Sequence, residues 1–527
     1  MSLPSNSRNS VEIRPPSAVL PYVALFQTRS AAVFGIDAHP IHVEIDMYAG
    51  EAREIVVVGM PDTAVKESRQ RIKSALANTG YHYPAKCVTV NLAPANLRKE
   101  GAGFDLPVAV GILGAMGMVA PAADTMLAGE LSLDGSLRPV RGALPIAVCA
   151  RKEGIARLVL PAENAPEAAV VEGVRVFGLR HLAEVARLLN GDASFPAAAP
   201  ANAHQAPPEN AAPDFADVKG QTAARRALEV AAAGAHNVLM IGPPGSGKTM
   251  LAKRMAGILP PLTFEEALET TKIHSVAGVL PAGQGLLRAR PFRAPHHTIS
   301  DAGLIGGGTG MPRPGEASLA HNGVLFLDEL PEFPRNVLEL LRQPLEDDSV
   351  TIARANMTLA FPARFMLVAA MNPCPCGFHG DPARECRCTG GIIQRYLGKI
   401  SGPLLDRIDL HLEVPAVPYK ELRSQGPTAC SAEMRARVVR AREIQQRRGF
   451  YNAHIPHKEL RALCRLDDAG ERTLEMAVRR LGLSARAHDR ILKVARTIAD
   501  LDGSQTLAAK HLAEAVQYRS LDRSYWS

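Results

Sequence analysis

The chain has 527 residues, of which 46% are hydrophobic and 21% are charged. This length exceeds what a single hydrophobic core can fill, so we expect two to four domains. The composition excludes a largely disordered chain and indicates a soluble globular protein. A formal net charge of +7 and a pI near 9.0 fit a polyanionic partner, although an enzyme that binds none can carry a similar charge.

The cysteines and the apolar segments predict the compartment. Residues 1–21 are polar and rich in proline and serine, without the apolar centre of a secretory leader, and the chain holds eight cysteines. We therefore expect a reducing, cytoplasmic environment. The segment 106–123 is uncharged, but it contains glycines and two prolines and falls short of the ~20 residues that a membrane span needs. It is interpreted as a buried helix, and no membrane partner is expected.

The first folded region is predicted to be an α+β domain over residues 20–190, after a flexible N-terminus at 1–19. Apolar strand patterns alternate there with helical patterns: strands at 55–58 and 87–91, helices at 63–79 and 106–118. The segment that follows is rich in alanine and proline and cannot build a core. We interpret it as a linker over residues 191–214.

Part of this first region resembles the proteolytic domain of Lon proteases. Residues 129–140 read GELSLDGSLRPV and precede a helix and a strand pattern that fit that fold. Lon enzymes pair a serine nucleophile with a lysine base, and the two groups must lie within hydrogen-bond reach. Here Lys99-Glu-Gly is followed by AGFD at 102–105, and the position of the base falls within Gly-Ala-Leu-Pro at 142–145. The resemblance therefore implies a Lon-protease-like domain without peptidase activity, used for assembly or DNA contact.

A phosphate-binding loop is the strongest motif of the chain. An apolar run at 237–241 leads into GPPGSGKT, which fits the pattern G-x-x-x-x-G-K-[S/T]. In such loops, backbone amides at a helix N-terminus surround the phosphates. We assign Lys248 to the β- and γ-phosphates and the Thr249 hydroxyl to Mg²⁺. The predicted nucleotide-binding residues of this loop are Gly242, Pro243, Pro244, Gly245, Ser246, Gly247, Lys248 and Thr249.

A second motif supplies the carboxylates that hydrolysis needs. Residues 324–329 read VLFLDE, the pattern of a buried strand that ends in two acids. Asp328 is predicted to bind Mg²⁺ and the nucleotide, and Glu329 to orient the attacking water. The two motifs occur in this order and each follows a strand pattern, which an ordinary glycine-rich turn does not explain. The sequence therefore predicts ATP binding and hydrolysis by a core over residues 215–420.

Four cysteines of this core are spaced as Cys-x-Cys, nine residues and Cys-x-Cys: Cys374, Cys376, Cys386 and Cys388. Four soft ligands in a loop with few apolar residues fit a closed tetrahedral Zn²⁺ site with a structural role. The spacing within each pair is tighter than in most zinc knuckles, and His379 is an alternative ligand. Four free thiols are a further alternative, and a disulfide is a weaker one.

Residues 421–527 show successive helical patterns, so we predict a helical domain there. In the segment 431–448, six arginines accompany two glutamates. A helix of this kind either binds nucleic-acid phosphate without regard to sequence or forms an ordinary solvated surface. The chain shows no helix-turn-helix pattern and no aromatic RNA-binding pattern, so base-specific recognition is not expected.

Four segments carry a family resemblance over nearly the whole chain. They read RPFRAPHHT from Arg290, NGVLFLDEL from Asn322, VAAMNPCPCG from Val368 and LLDRIDL from Leu404. In this order they resemble the ComM/YifB family, within the magnesium-chelatase-like branch of the AAA+ ATPases. The resemblance implies an α/β fold: a P-loop AAA+ core, preceded by the Lon-protease-like α+β domain and followed by an α-helical C-terminal lid.

The resemblance also assigns further catalytic residues. Hydrolysis needs a polar group at the γ-phosphate, and Asn372 follows the apolar strand 365–371 where AAA+ proteins place one. It also needs positive charge in the transition state. Arg407 corresponds to the arginine finger that reaches a neighbouring subunit, and Arg486 to the sensor of the lid domain, ahead of Arg490 and Arg496. The alternative for each of these arginines is a salt bridge or a solvated helix face. A finger that acts in trans implies a ring, which we expect to be a homo-hexamer.

Two insertions distinguish this branch: a loop at 271–310, expected to be mobile, and a hairpin pattern at 350–361. In related ring helicases such a hairpin lines the pore and binds nucleic acid. The candidate DNA contacts are Arg354 in the hairpin and Arg293 and His296 in the loop. An exposed arginine with no ligand is the alternative for the hairpin. The neighbouring histidines 296 and 297 make a weak metal site, because adjacent side chains diverge.

The leading functional hypothesis is a hexameric, DNA-stimulated helicase or translocase. As the resemblance implies, it promotes branch migration of recombination intermediates, as in natural transformation. Its cofactors are ATP, Mg²⁺ and Zn²⁺, and its partner is single-stranded, forked or branched DNA. A second hypothesis is a magnesium chelatase-type motor subunit for Mg insertion into a porphyrin; the shared core favours it, and the N-terminal domain and the cysteines argue against it. A third is an ATP-driven protein remodeller.

Overall fold

The computed structural model describes residues 25–49, 54–84, 86–199, 213–281, 283–308, 310–354, 357–382, 384–422 and 429–521. The predicted flexible N-terminus at 1–19 lies outside the described residues, as do residues 200–212 of the predicted linker. The chain divides into an N-terminal unit, Met1–His204 with His274–Leu286, and a C-terminal unit, Gln205–Ile273 with Leu287–Ser527.

The N-terminal unit contains a mixed sheet of seven strands in the order β3-β4-β2-β1-β5-β8-β9, and a separate two-stranded ribbon of β6 and β7. The strands are β1 (Leu25–Phe34), β2 (Asp37–Tyr48), β3 (Ile55–Val58), β4 (Cys87–Ala93), β5 (Thr125–Leu127), β6 (Glu130–Leu131), β7 (Leu137–Arg138), β8 (Arg157–Pro161) and β9 (Arg175–Leu179). The helices are α1 (Thr63–Asn78), α2 (Asp105–Ala115), α3 (Ala143–Lys152), α4 (Ala165–Ala168) and α5 (Leu182–Leu189).

Helix α2 forms the centre of the N-terminal core, and every one of its residues is buried. It packs closely on the sheet because two of its glycines leave room for side chains. A Cβ atom at Gly111 would lie 2.6 Å from the Ile45 side chain, and one at Gly114 would lie 2.2 Å from the Phe26 ring. This burial agrees with the interpretation of the apolar segment as a core helix. Among the described residues, no helix combines the length and the apolar character that crossing a membrane requires.

The C-terminal unit is built on a parallel sheet of five strands in the order β11-β14-β17-β10-β18. These strands are β10 (Val238–Ile241), β11 (Phe292–Arg293), β14 (Val324–Leu327), β17 (Met366–Met371) and β18 (Leu410–Glu413). Two ribbons accompany the sheet: β12 (Gly306–Gly307) with β13 (Arg313–Pro314), and β15 (Ser349–Arg354) with β16 (Met357–Pro362). The second ribbon coincides with the expected hairpin, although its turn, residues 355–356, lies outside the described residues.

Fifteen helices are described after the linker, of which α8 ends in the N-terminal unit. They are α6 (Thr222–Gly234), α7 (Lys248–Ile258), α8 (Phe264–Ala277), α9 (Asp301–Leu304), α10 (Glu316–Leu319), α11 (Arg335–Leu340), α12 (Pro344–Asp347), α13 (Gly390–Leu397), α14 (Gly402–Leu405), α15 (Tyr419–Leu422), α16 (Ser431–Arg448), α17 (His457–Leu463), α18 (Asp468–Leu481), α19 (Ala485–Leu501) and α20 (Ala509–Gln517).

Alternation along the buried strands produces two cores, one on each face of the parallel sheet. On β17, Met366, Val368 and Ala370 pack with residues of the helices α6, α7, α16 and α19. The intervening residues Leu367, Ala369 and Met371 belong to the opposite core. Both faces are covered, which explains why these strands read as continuous apolar runs.

The segment predicted as a mobile loop, 271–310, is ordered differently from that expectation. Its first residues continue α8, where Thr271 and Ile273 are fully buried. The residues from His274 to Leu286 belong to the N-terminal unit, where the backbone amide of Gly142 donates to the Ser275 carbonyl at 3.3 Å. The prediction of a loop from residue 271 was therefore wrong for this stretch, since the helix continues to Ala277.

Candidate nucleotide-binding and metal sites

The carboxyl ends of three neighbouring strands meet at one edge of the parallel sheet. In the register of β10, β14 and β17, Ile241 lies opposite Met371 and Leu327 lies opposite Ala369. The residues that follow these strands, Gly242, Asp328 and Asn372, are therefore neighbours. Ligands of open α/β sheets bind at this edge.

The phosphate loop connects β10 to α7 and requires glycine at defined positions. Gly245 and Gly247 adopt φ of +76° and +92°, the left-handed region that glycine tolerates best. A Cβ atom at Gly242 would lie 2.1 Å from the Val414 carbonyl oxygen, so no side chain fits there. Helix α7 begins at Lys248 directly after this turn, so its amino-terminal end lies at the loop. A helix N-terminus in this position attracts phosphate.

The Lys248 ammonium lies inside this loop. It donates to the carbonyl oxygens of Gly242 at 2.7 Å and Pro243 at 2.9 Å, and to Asn372 Oδ1 at 3.2 Å. Burial lowers the pKa of Lys248, while the negative charges of Asp328 and Glu329 act in the opposite direction. The predicted phosphate-binding cation and the predicted γ-phosphate sensor are therefore in direct contact.

The two predicted magnesium ligands also meet. The Thr249 hydroxyl donates to Asp328 Oδ2 at 2.6 Å, and the other Asp328 oxygen accepts from the Glu329 amide at 3.0 Å. A hydroxyl and a carboxylate at this separation suit Mg²⁺, which takes a few protein oxygens and completes its shell with water and phosphate. Glu329 has φ of +53°, and its side chain is 56% exposed. The carboxylate is thus presented beside the magnesium ligands and open to water.

His297, which the sequence marked only as half of a weak metal pair with His296, also lies at this site. Its Nδ1 lies 3.4 Å from Glu329 Oε2, and its ring packs edge-on against Phe333. The expected DNA contact, His296, is exposed and forms a hydrogen bond with the Thr298 hydroxyl at 3.0 Å. Its ring lies beside that of His297, with centroids 4.0 Å apart and planes tilted by 34°. The available signal was the position of the pair, shortly after the short strand β11.

Gln221 is a residue that the sequence did not single out. It stands at the start of α6 with φ of +55°. Its side-chain amide donates to the carbonyl oxygens of Ser246 at 3.3 Å and Pro415 at 2.7 Å. It therefore connects the phosphate loop to the chain that follows β18.

The two predicted transition-state arginines lie elsewhere in the C-terminal unit. Arg407 is buried, pairs with Glu346 and donates to the Pro403 carbonyl at 2.5 Å. Arg486 is 67% exposed, and its guanidinium lies 3.8 Å from Asp406. Both line a cavity of about 220 Å³, which we call the arginine cavity. Their contacts in the described chain are with these neighbours rather than with the phosphate loop.

Arg490, also on the arginine cavity, has a structural partner. It pairs with Asp409, a buried carboxylate that also accepts from the Asn237 amide at 3.0 Å and lies 3.4 Å from His236. Burial opposes the charge of Asp409, but Arg490 and His236 outweigh it, so the pKa of Asp409 is held well below its usual range. Arg490 therefore stabilises a buried charge between the strand β18 and the helix α19.

The four clustered cysteines come together although two of them lie ten or more residues from the others. Sγ of Cys374 lies 3.3 Å from that of Cys376 and 3.7 Å from that of Cys386, and Cys376 lies 3.6 Å from Cys386. With Cys388, all four sulfurs lie within 4.8 Å of one another. Sulfurs at the corners of a tetrahedron around Zn²⁺ are about 3.7 Å apart, given a Zn–S bond of about 2.3 Å. The set fits zinc without His379, and all eight cysteines of the chain are free thiols.

The predicted DNA contacts occupy mixed environments. Arg293 donates to both oxygens of Glu316, at 2.6 and 2.7 Å, and this carboxylate raises the pKa of Arg293. Arg354 is exposed at the end of β15 and donates to the carbonyl oxygens of Gly310, at 2.9 Å, and Gly308. Their role in DNA binding stays a prediction, and Arg293 is the weaker of the two because its charge is already balanced.

The arginines of α16 are mostly structural. Arg442 is buried, donates to the Ala232 carbonyl at 2.9 Å and stacks on the Tyr451 ring. Arg435, Arg437 and Arg448 pair with the Gly257 carbonyl, with Glu229 and with Asp500. This helix is therefore neither a free phosphate-binding surface nor a simple solvated one. Charge alone did not reveal which of its sides packs against α6 and α7.

The fold and the site together define a P-loop nucleotide-binding protein with a second, cysteine-rich site. Three family models match the chain: subunit ChlI of magnesium chelatase over residues 43–164, magnesium chelatase, subunit ChlI over 214–422, and the C-terminal part of ChlI over 428–519. The second and third matches place the C-terminal unit among the magnesium-chelatase-like AAA+ proteins.

Individual relatives sharpen this assignment. The chain is 46% identical to the competence protein ComM of Haemophilus influenzae, over 94% of this chain and 97% of that one. It is 45% identical to the protein YifB of Escherichia coli, over 95% and 98% of the two chains. The chain belongs to the ComM/YifB family, as its motifs predicted. A weaker likeness, 29% identity over 33% of this chain, connects it to Lon protease 2 of Bacillus subtilis and covers 35% of that protein.

Proposed function

We propose that this protein is a hexameric AAA+ ATPase that translocates on DNA and promotes branch migration of recombination intermediates, as in natural transformation. The ATPase assignment rests on contacts at one edge of the sheet. Lys248 contacts Asn372, and Thr249 contacts Asp328. Glu329 lies beside them. The DNA client is supported by the likeness to a competence protein along nearly the whole chain.

The proposed reaction is hydrolysis of ATP to ADP and phosphate. Lys248 binds the β- and γ-phosphates, while Asn372 positions the γ-phosphate from the next strand. Glu329 accepts a hydrogen bond from the attacking water and orients it in line with the bond that breaks. Thr249 and Asp328 hold Mg²⁺, which supplies charge neutralisation for the phosphates. The exposed carboxylate of Glu329 meets the geometric requirement that water can reach it.

The arginine cavity supports the proposed ring. Arg407 and Arg486 contact residues of their own neighbourhood rather than the phosphate loop of the same chain. We assign Arg407 as the finger that stabilises the transition state in an adjacent subunit, and Arg486 as the sensor of a helical lid made by α16–α20. In this proposal one subunit binds ATP, and two subunits complete a hydrolytic site.

The proposed DNA contacts lie in the β15–β16 hairpin and in the segment after α8. Arg354, with Arg293 and His296 in lesser roles, binds phosphate through charge and not through base edges. The net positive charge of +7 is consistent with a polyanionic partner such as DNA. Affinity for DNA is then expected to fall steeply as salt increases.

Further parts of the proposal concern the cysteines, the N-terminal unit and the compartment. We assign a structural Zn²⁺ to Cys374, Cys376, Cys386 and Cys388, because their sulfurs are already arranged for four-fold coordination.

We assign the N-terminal unit to a Lon-protease-like domain without peptidase activity, since residues 102–104 form a 3₁₀ helix that contains no hydroxyl. A reducing cytoplasm suits both the free thiols and a DNA client.

The first test is ATP hydrolysis by the purified protein without DNA and with single strands, forks or a four-way junction. We expect DNA to stimulate turnover, with forked or branched substrates among the effective ones. Hydrolysis that ignores every DNA would overturn the DNA-motor proposal while leaving the ATPase intact. It would shift the assignment to a magnesium chelatase-type motor subunit, which the family models name, or to a protein remodeller.

A further inference from the structure

The cysteine loop, residues 374–388, is connected to the nucleotide site through the chain itself. Asn372 lies two residues before Cys374, and the intervening Pro373 is buried, as is Cys374. The Asn372 side chain accepts from Lys248 at 3.2 Å. Any change in the position of Cys374 is therefore transmitted over a short, buried stretch to the predicted γ-phosphate sensor.

A second connection is a packing contact across space. Gly377 lies in the turn between the two cysteine pairs, is buried and adopts φ of +87°. A Cβ atom there would lie 2.4 Å from Cδ and 2.6 Å from Cγ of Pro244. The cysteine loop is thus pressed against the phosphate loop closely enough that only glycine fits between them.

Two local turns and one aromatic contact are among the features that shape the described part of the cysteine loop. Among its described residues, Cys376, Cys386 and Cys388 are only half-buried, and Phe378 stacks on the Arg384 guanidinium at 5.1 Å. Backbone hydrogen bonds from Gly377 to Cys374 and from Asp381 to Phe378, at 3.0 and 3.1 Å, close two local turns. Neither turn joins the first cysteine pair to the second. A metal bound by all four sulfurs does join them.

We propose that Zn²⁺ in the cysteine loop holds the phosphate loop and Asn372 in their nucleotide-binding geometry, so that metal loading sets the affinity for nucleotide. The inference rests on the zinc site proposed above. Zinc here acts at a distance: it fixes Cys374 beside Asn372 and Gly377 against Pro244, and takes no part in hydrolysis.

Two glycines of the cysteine loop form a matched pair of test sites. Gly377 and Gly380 both have positive φ, at +87° and +78°, but a Cβ atom at Gly380 meets no atom within 4 Å. Gly377→Ala and Gly380→Ala therefore impose similar backbone strain and retain all four cysteines. Only Gly377→Ala pushes on the phosphate loop.

The experiment measures, on the full-length chain, the zinc content by elemental analysis and the Kd for the fluorescent nucleotide mant-ADP with Mg²⁺. We expect Gly377→Ala to keep one zinc per chain and to raise the Kd at least about tenfold, whereas Gly380→Ala stays within about twofold of the wild type. Circular dichroism and a melting curve establish that both variants are folded. If folded, zinc-loaded Gly377→Ala binds mant-ADP as tightly as Gly380→Ala, the packing connection is wrong.

The double variant Cys386→Ser/Cys388→Ser separates the coupling from the zinc site. These two ligands are the ones farthest along the chain from Asn372, and we expect their loss to remove zinc and to weaken mant-ADP binding to a similar extent. If zinc is lost and the Kd is unchanged, the coupling is overturned while the zinc site stands. If the wild type purified from zinc-supplemented cells holds no zinc, the zinc site and the metal dependence fail together, and the ATPase proposal is unaffected.

Discussion

The strand-edge nucleotide site and the arginine cavity are both made of charged residues of the C-terminal unit, but they are completed in different ways. At the strand edge, Lys248 contacts Asn372 and Thr249 contacts Asp328, so the parts already satisfy one another. In the arginine cavity, Arg486 is 67% exposed and Arg407 is paired with Glu346, a carboxylate that is itself 55% exposed. Under the proposed mechanism, a single chain would bind nucleotide at the strand edge, and the arginine cavity would supply charge to the site of a second chain.

The largest expected effect comes from removing the carboxylate at the strand edge. Glu329→Gln removes the group that orients water but keeps Lys248 and the magnesium ligands, so turnover should fall by about 10⁴-fold while ATP still binds. Steady-state hydrolysis and a nucleotide-binding titration measure the two effects. Glu332→Gln, a change of an exposed carboxylate in the same segment, is the matched control. Normal hydrolysis by Glu329→Gln would remove this residue from the mechanism.

The next largest effect tests whether the arginine cavity acts on a neighbour. Arg407→Ala should reduce turnover about 10³-fold, the scale of a lost arginine finger, and leave nucleotide binding within about twofold. Arg440→Ala, on the exposed side of α16, should be nearly neutral.

Mixing the Arg407→Ala protein with a Lys248→Ala protein sharpens that comparison. Mixed rings contain sites in which an intact phosphate loop faces an intact Arg407, so activity should reappear in the mixture although each variant alone is inactive. A mixture as inactive as its components, in rings shown to exchange subunits, would contradict action in trans.

A stability difference should separate the arginines of the cavity from one another. Arg490→Ala leaves the buried carboxylate of Asp409 without its main partner and should lower the free energy of unfolding by about 3–5 kcal/mol. Arg486→Ala removes an exposed contact and should change it by no more than about 1 kcal/mol. Denaturant titrations of the two variants measure this difference, and equal losses would contradict the structural role of Arg490.

The Arg490–Asp409 pair also predicts how the stability of the fold changes with pH. The pKa of Asp409 is lower in the folded chain than in the unfolded one, so its ionisation stabilises the fold above the unfolded pKa of about 4. This contribution is lost as the pH falls through the folded pKa. The wild type should therefore lose more stability than Arg490→Ala on acidification, which melting curves across the acidic range can measure.

The smallest expected effect concerns His297, which extends the strand-edge site to the segment after β11. His297→Ala removes the contact with Glu329 and should lower kcat about tenfold with little change in KM, because nucleotide binding does not depend on it. His296→Ala keeps that contact and should leave hydrolysis without DNA unchanged. His297→Asn, which preserves a polar group, should restore part of the loss. Equal, small effects of both alanine variants on kcat would show that His297 does not position Glu329.

The sequence was most informative where function depends on local motifs at the ends of parallel strands. Lys248, Thr249, Asp328 and Asn372 follow apolar runs of β10, β14 and β17, and parallel strands bring such residues to one edge. The cysteine spacing likewise predicted a compact cluster, because its ligands lie within one loop. In the N-terminal unit, the uncharged run around α2 was correctly interpreted as a buried helix.

The sequence was less informative where a contact depends on packing between distant segments. His297 meets Glu329 only because the two-residue strand β11 pairs with β14, and such a short strand has no distinctive pattern. Gly377 contacts Pro244 through tertiary packing, and the presence of a glycine in the sequence does not predict that contact. The arginines of α16 show the same limit, since their charge does not reveal that Arg442 is buried. The continuation of helix α8 past residue 271 likewise depends on packing, since Thr271 and Ile273 are buried, and the sequence pattern did not indicate it.

Branch migration is tested most directly by following a mobile four-way DNA junction and an immobile one of the same length, with the wild type and with Glu329→Gln, in the presence of ATP. We expect the wild type to convert the mobile junction into duplex products, the immobile junction to persist, and Glu329→Gln to bind junctions without moving them. A wild type that hydrolyses ATP but leaves the mobile junction unchanged, at salt concentrations where it binds DNA, would contradict the assignment as a branch-migration motor.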